Sequence, residues 1–276
     1  MNLLKSVLIL ITFSVFVSCS KKEDVVIPDD LDGLTLVTTL TNDTHKVALY
    51  TTSGKFQTGY NEVYIQIKNT QGIVERNVSV TWLPLMHMMG MEHSCPASAV
   101  GNKTNGIYKG YIVFQMAGSE EEYWDLTVNY TIGNTTYTVT DKITVAEAAK
   151  RVVESFKGAD NNRYVLALVH PAKPAVAVND IAAVLYKMES MTSFVAVKNY
   201  TIKIDPRMPG MGNHTSPNNV DLTQGTDGMY YGKLSLTMTG YWKINLQLLD
   251  ATQTNLKGEA VTDTNEGSSI YFELEF

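Results

Sequence analysis

The sequence predicts an all-β protein: two tandem immunoglobulin-like antiparallel β-sandwich domains that follow a lipoprotein signal peptide. Three observations predict it. Apolar residues alternate with period two in runs such as 108–116, 124–130, 230–238 and 242–248, clusters of turn residues lie between the strand candidates, and the second half repeats the first at an offset near 119 residues. Leu34-Thr35-Leu36-Val37 falls on Val153-Glu154-Ser155-Phe156, and Val47-Ala48-Leu49 on Leu166-Ala167-Leu168. Asn61-Glu62-Val63 meets Asp180-Ile181-Ala182, Gly106-Ile107-Tyr108 meets Gly228-Met229-Tyr230, and Met116 and Trp124 meet Met238 and Trp242.

At the N-terminus, Lys5 precedes an apolar run over 7–17, which Ser18-Cys19-Ser20 and the charged Lys21-Lys22-Glu23-Asp24 close. The run is too short to span a membrane and reads as a secretory signal. Phe16-Val17-Ser18-Cys19 resembles a bacterial lipobox, so residues 1–18 are expected to be removed and Cys19 to carry lipid, anchoring the chain to a membrane. Residues 19–33, with Pro28 and four aspartates, read as an acidic tether. The charged cluster after Cys19 resembles the signals that carry some bacterial lipoproteins outward, so the expected location is the outer membrane or cell surface, outside the cytoplasm.

Domain 1 is expected over 34–147 and domain 2 over 148–276. Each should hold about seven strands, in the first near positions 34, 46, 61, 75, 106, 123 and 135. Tyr108, Gly110, Ile112, Phe114 and Met116 share one strand face, and Trp124, Leu126, Val128 and Tyr130 another, with Trp242, Ile244, Leu246 and Leu248 repeating the second pattern. The reverse faces are polar, as in antiparallel sheets with one side in water. Trp124 and Trp242 read as core anchors. Residues 146–153 read as a linker, either a short helix or a turn.

The composition excludes several functions. With 22 Lys and Arg against 28 Asp and Glu, the net charge of -6 offers no basic field for nucleic acid. Of two cysteines, Cys19 is assigned to lipid, so Cys95 has no partner and no disulfide framework forms.

The chemistry concentrates in two loops. Met86-His87-Met88-Met89-Gly90-Met91-Glu92-His93-Ser94-Cys95-Pro96 gathers soft donors, and Met208-Pro209-Gly210-Met211-Gly212-Asn213-His214 repeats its theme. Neutral thioethers with imidazole suit Cu(I) better than calcium, magnesium or zinc. Overlaying the loops selects Met88, Met91 and His93 in the first and Met208, Met211 and His214 in the second as metal donors. Met89, Cys95, Met116 and Met238 are second-rank candidates. Met86 and Met116 are accounted for as core filler, Cys95 reads equally as ligand or small buried residue, and His87 reads as facing solvent. His45 and His170 stand apart from the loops, and Met188 and Met191 read as hairpin decoration. Extended strands would space same-side donors about 6.8 Å apart, so a bend at Gly90 or Gly210 is needed to converge on one ion.

The order Met88-Met89-Gly90-Met91, Gly106-Ile107-Tyr108-Lys109-Gly110, Met116, Trp124 resembles the YtkA-like/FixH-like domain, whose pattern runs through a Met-Pro-x-Met loop, a Gly-x-Tyr strand and a Met-x-Gly-x-Trp turn. The second copy is the closer, with Met208-Pro209-Gly210-Met211, Gly228-Met229-Tyr230 and Met238-Thr239-Gly240-Tyr241-Trp242. The first departs in having Met88-Met89 for Met-Pro and a longer Met116 to Trp124 segment. The resemblance implies an extracytoplasmic β-sandwich associated with copper handling and oxidase assembly. The expected function is therefore a membrane-anchored, non-enzymatic protein that captures Cu(I) for a copper donor or acceptor protein. The other reading is a metal-free surface module that contacts proteins or glycans.

Overall fold

The computed structural model describes residues 30–276; the leader, Cys19 and the tether up to residue 29 lie outside the described residues. Eleven strands come first: β1 (Thr35–Thr41), β2 (His45–Thr51), β3 (Phe56–Gln57), β4 (Gly59–Asn69), β5 (Ser79–Met88), β6 (Met91–Ser94), β7 (Gly101–Thr104), β8 (Ile107–Phe114), β9 (Tyr123–Ile132), β10 (Thr135–Ile143) and β11 (Val145–Ala146). They build a sheet of order β1-β2-β4-β8-β7 and a second of order β10-β9-β5-β6, while β11 pairs in parallel with β3. The alternation is the cause. Trp124, Leu126, Val128 and Tyr130 of β9 turn inward and are almost fully buried, while Thr127 and Asn129 on the reverse face bond across to Thr140 and Thr138 of β10.

Residues 147–152 bend without helix, so the helical option for the linker is not taken. The rest of the chain forms β12 (Val153–Lys157), β13 (Arg163–His170), β14 (Val178–Ser190), β15 (Ser193–Ala196), β16 (Thr201–Met208), a 3-10 turn (Pro209–Met211), β17 (His214–Thr215), β18 (Val220–Gln224), β19 (Tyr230–Ser235), β20 (Tyr241–Leu249), β21 (Asn255–Lys257) and β22 (Tyr271–Glu275). The order β12-β13-β14-β19-β18 repeats the first sheet of the earlier set, and β16 and β20 repeat β5 and β9. One difference is that β18 also pairs with β16, through Thr201↔Thr223 and Ile202↔Leu222, so the second sandwich is joined along one edge. Each set encloses its own core, one around Trp124 and the other around Trp242. Both are immunoglobulin-like antiparallel sandwiches.

Register corrects the overlay of β4 on β14. Val63 faces Gly110 across β4 and β8, and Ile181 faces Gly232 across β14 and β19. Asn61 therefore corresponds to Asn179, not Asp180. The side chains agree: the amide of Asn61 bonds the carbonyls of Gln57 and Gly59, and that of Asn179 bonds those of Ala175 and Ala177. A slip of one residue would have turned Val63 and Ile181 to opposite faces.

A third apolar cluster joins the two sandwiches. Val113 from β8 packs with Val165, Ala167, Val184 and Tyr186 from β13 and β14, and the hydroxyls of Tyr111 and Tyr186 lie 2.7 Å apart.

Candidate metal-binding loops

In the first sandwich the methionine loop is a β-hairpin. Strands β5 and β6 pair as Leu85↔Ser94, Met86↔His93, His87↔Glu92 and Met88↔Met91, and Met89-Gly90 makes the turn. Gly90 takes φ +81, a left-handed value that glycine adopts without strain. Because side chains alternate, Met86, Met88, Met91 and His93 lie on one face as two cross-strand pairs, with Cβ atoms about 4.5–5.5 Å apart within a pair. The three donors selected from the sequence are thus brought together, and Met86 joins them. Met86 is 0% exposed, Met88 is half-buried against the same core, and Met91 is exposed at the rim.

The His93 ring stands edge-on to Trp124, with centroids 5.5 Å apart at 88°. Its Nδ1 lies 2.9 Å from the Ser94 carbonyl oxygen. A carbonyl can only accept, so that contact requires the proton on Nδ1, and in the neutral ring Nε2 is then the nitrogen that keeps its lone pair. Trp124 donates its indole N–H to the Met116 carbonyl at 3.1 Å, so Met116 contributes its backbone while its side chain packs against the core.

The second loop repeats this frame in shorter form. Met208 faces His214, and Pro206 faces Ile244 as Pro84 faces Leu126. Met208 therefore corresponds to Met86, two residues from the Met88 that the overlay selected. Met208 is 4% exposed and lies in the core, so its place is Met86's and its burial overturns the pairing with Met88. By the same register Met211-Gly212 matches Met89-Gly90, and both thioethers point outward, Met89 at 91% and Met211 at 55% exposure. Gly212, like Gly90, is left-handed, at φ +65. The His214 ring is tilted over Trp242 at 6.4 Å, with its Nε2 3.5 Å from the Thr237 hydroxyl. Trp242 donates to the Met238 carbonyl at 3.0 Å, repeating the Trp124 bond.

Cys95 is buried in the first core, and desolvation pushes its thiol well above the usual range, which keeps it a neutral small residue. His87 does not simply face solvent. It is partly buried and stacked on Tyr123, its Nδ1 is 2.9 Å from Glu92 Oε1, and Asp125 Oδ2 lies 2.9 Å from its Nε2 without the alignment of a hydrogen bond. His45 is buried between Tyr130 and Tyr137, a packing role.

Met86 is the core filler that the sequence suggests, at 0% exposure, and the proline two residues before the methionine in both Pro84-Leu85-Met86 and Pro206-Arg207-Met208 marks its equivalence to Met208. Met191, which reads from the sequence as hairpin decoration, has a carbonyl that accepts a bond from Ser94 N at 2.8 Å, beside His93, and no local signal in the sequence marks that contact. Among the described residues, no group of three or more His, Cys, Asp and Glu is placed to hold a metal.

No curated protein matches the chain. Among solved structures it is similar to domains 4-9 of the surface layer protein SbsC, at 14% identity and a TM-score of 0.28, covering 83% of this chain and 32% of that one. The chain thus spans about a third of that protein's length. It is also similar to a chimeric titin Z1Z2-Z1Z2 tandem functionalized with a GRGDS exogenous peptide from fibronectin, at 11% identity and a TM-score of 0.18, covering 87% of this chain and 96% of that one. Residues 158–247, which run from just before β13 into β20 and carry the Met208 loop, match the family model described as YtkA-like.

Proposed function

We propose that the protein is a lipid-anchored, extracytoplasmic, non-enzymatic binder of Cu(I), held to the outer membrane or cell surface through Cys19, that receives or delivers the ion through its two methionine–histidine loops. The carrying observation is the recurrence of one frame at matched register: a buried methionine opposite a histidine, over a tryptophan whose indole is fixed to a methionine carbonyl. Core packing alone does not call for a histidine opposite that methionine in both copies. The donor chemistry fits a soft monovalent ion. Thioethers stay unprotonated at every working pH, and His93 presents a bare Nε2. Met88, Met91 and His93 would hold the ion in the first loop, with Met86 beneath them. Met211 and His214 would hold it in the second, with Met208 beneath. A copper donor or acceptor protein is the partner this implies.

Titrating residues 19–276, with Cys19 replaced by Ser, with Cu(I) under reducing conditions tests the reading. Saturation near two ions per chain is expected. Binding no tighter than that of a variant with Met88, Met91, Met208 and Met211 changed to Leu would overturn it.

A second reading, a surface module for protein or glycan contact, draws on the open face of β9 and β10. There Thr127 pairs with Thr140 at 2.8 Å, Thr131 with Thr136 at 3.0 Å, and Thr138 with Asn129 at 2.7 Å, forming a regular hydroxyl and amide array. Ligand capture that survives Met208→Leu and Met211→Leu but is lost on Thr138→Lys would favour it.

A further inference from the structure

We propose that the first loop is completed by Met191 of the second sandwich, so that its ion is held between the two modules, whereas the second loop is self-contained. This rests on the Cu(I) reading above and assigns one more donor to it. Strand β6 pairs with β5 along one edge only. Its other edge is met by the β14–β15 turn, where the Met191 carbonyl accepts the Ser94 N–H at 2.8 Å.

The turn can reach because β14 outruns its counterpart. With Asn179 matching Asn61, the end of β4 at Asn69 corresponds to Lys187, and β14 continues to Ser190. The extension is anchored: Phe194, facing Met188 across β14 and β15, packs into the apolar cluster between the modules together with Tyr186. Met191 is thus held beside β6 by a built interface.

Residues joined by such a bond have Cα atoms about 5 Å apart. A methionine side chain, with three rotatable bonds, covers that distance to the His93 neighbourhood. Met191 is 40% exposed and so is not consumed by core packing. A thioether there adds a soft donor of the same class as Met88 and Met91. Around the second loop, β17 pairs with β16 alone among the described residues, and its histidine is exposed.

The test uses residues 19–276 with Cys19→Ser, Cu(I) and a competing Cu(I) chelator under reducing conditions. Met191→Leu, which keeps the volume and the backbone bond, should weaken one of the two ions at least tenfold and leave the other unchanged. X-ray absorption should show fewer sulfur neighbours per copper. Met188→Leu, on the same hairpin, should change neither. If Met191→Leu binds both ions like the parent while Met88→Leu with Met91→Leu loses one, the interdomain donor is wrong and the loop reading stands. If the parent binds no Cu(I), both fall. A thermal melt that matches the parent excludes loss of fold as the cause of any weakening.

Discussion

The two methionine loops have a common frame and different ends. In both, a buried methionine faces a histidine above a tryptophan, and the indole N–H is tied to the carbonyl of a half-buried methionine. The first loop closes in a hairpin turn that keeps Met88 and Met91 as a facing pair, and the second sandwich reaches over to its edge strand. The second closes in a 3-10 turn opened by Pro209, which leaves Met211 and His214 exposed. The difference teaches which residues the fold needs and which are free to serve chemistry. Met86, Met208 and the tryptophans belong to the first kind; Met88, Met91 and Met211 belong to the second.

Cutting the frame at its buried methionines gives the largest expected effect. Met86→Ala and Met208→Ala each remove a side chain enclosed in a core, and each should cost about 2–5 kcal/mol of unfolding free energy, read by denaturant titration. Met88→Ala, half-buried, should cost clearly less. A Met88→Ala loss as large as that of Met86→Ala would break the correspondence of Met86 with Met208.

The next test separates the two tryptophan turns. Gly240 has φ +120, and a Cβ there would stand 3.2 Å from the Met208 methyl carbon. Gly240→Ala should therefore destabilise by about 1–3 kcal/mol, since an L side chain is strained at that angle. At the matching Gly118, a Cβ would meet nothing nearer than 3.6 Å, and its φ is not left-handed. Gly118→Ala should stay within about 0.5 kcal/mol, as for an ordinary surface change. Equal losses on thermal denaturation would mean that both turns clamp their methionine in the same way.

Much of the fold was legible because period two is written in the side chains. Trp124, Leu126, Val128 and Tyr130 announce a buried face, and Trp242, Ile244, Leu246 and Leu248 announce its repeat. Register was harder to read. The sequence overlay sets Asn61 on Asp180 whereas its bonds are those of Asn179, because neighbouring positions carry similar polar residues and only the pairing across β8 and β19 separates them. In the loops, a slip of two residues leaves every side chain on the same face, so alternation could not distinguish Met86 from Met88 as the match for Met208. Met191 was out of reach for another reason. Its contact with Ser94 joins residues far apart in sequence, and nothing local marks it.

The smallest effect tests how firmly each histidine is held without metal. His93→Gln gives up an edge-to-face contact with Trp124 and the Nδ1 bond to the Ser94 carbonyl, and should cost about 0.5–1.5 kcal/mol. His214→Gln gives up only a tilted contact at 6.4 Å and a long approach to Thr237, at an exposed position, and should stay within about 0.5 kcal/mol. Calorimetric melting of the two variants measures the gap. If His214→Gln loses as much as His93→Gln, the second histidine is as preorganised as the first, and the distinction between a braced loop and an open one fails. If the gap holds, then under the Cu(I) reading proposed above the first loop would meet an ion with its imidazole already in place, whereas the second would have to order its own on binding. Where the contacts are otherwise alike, that ordering alone weakens the second site.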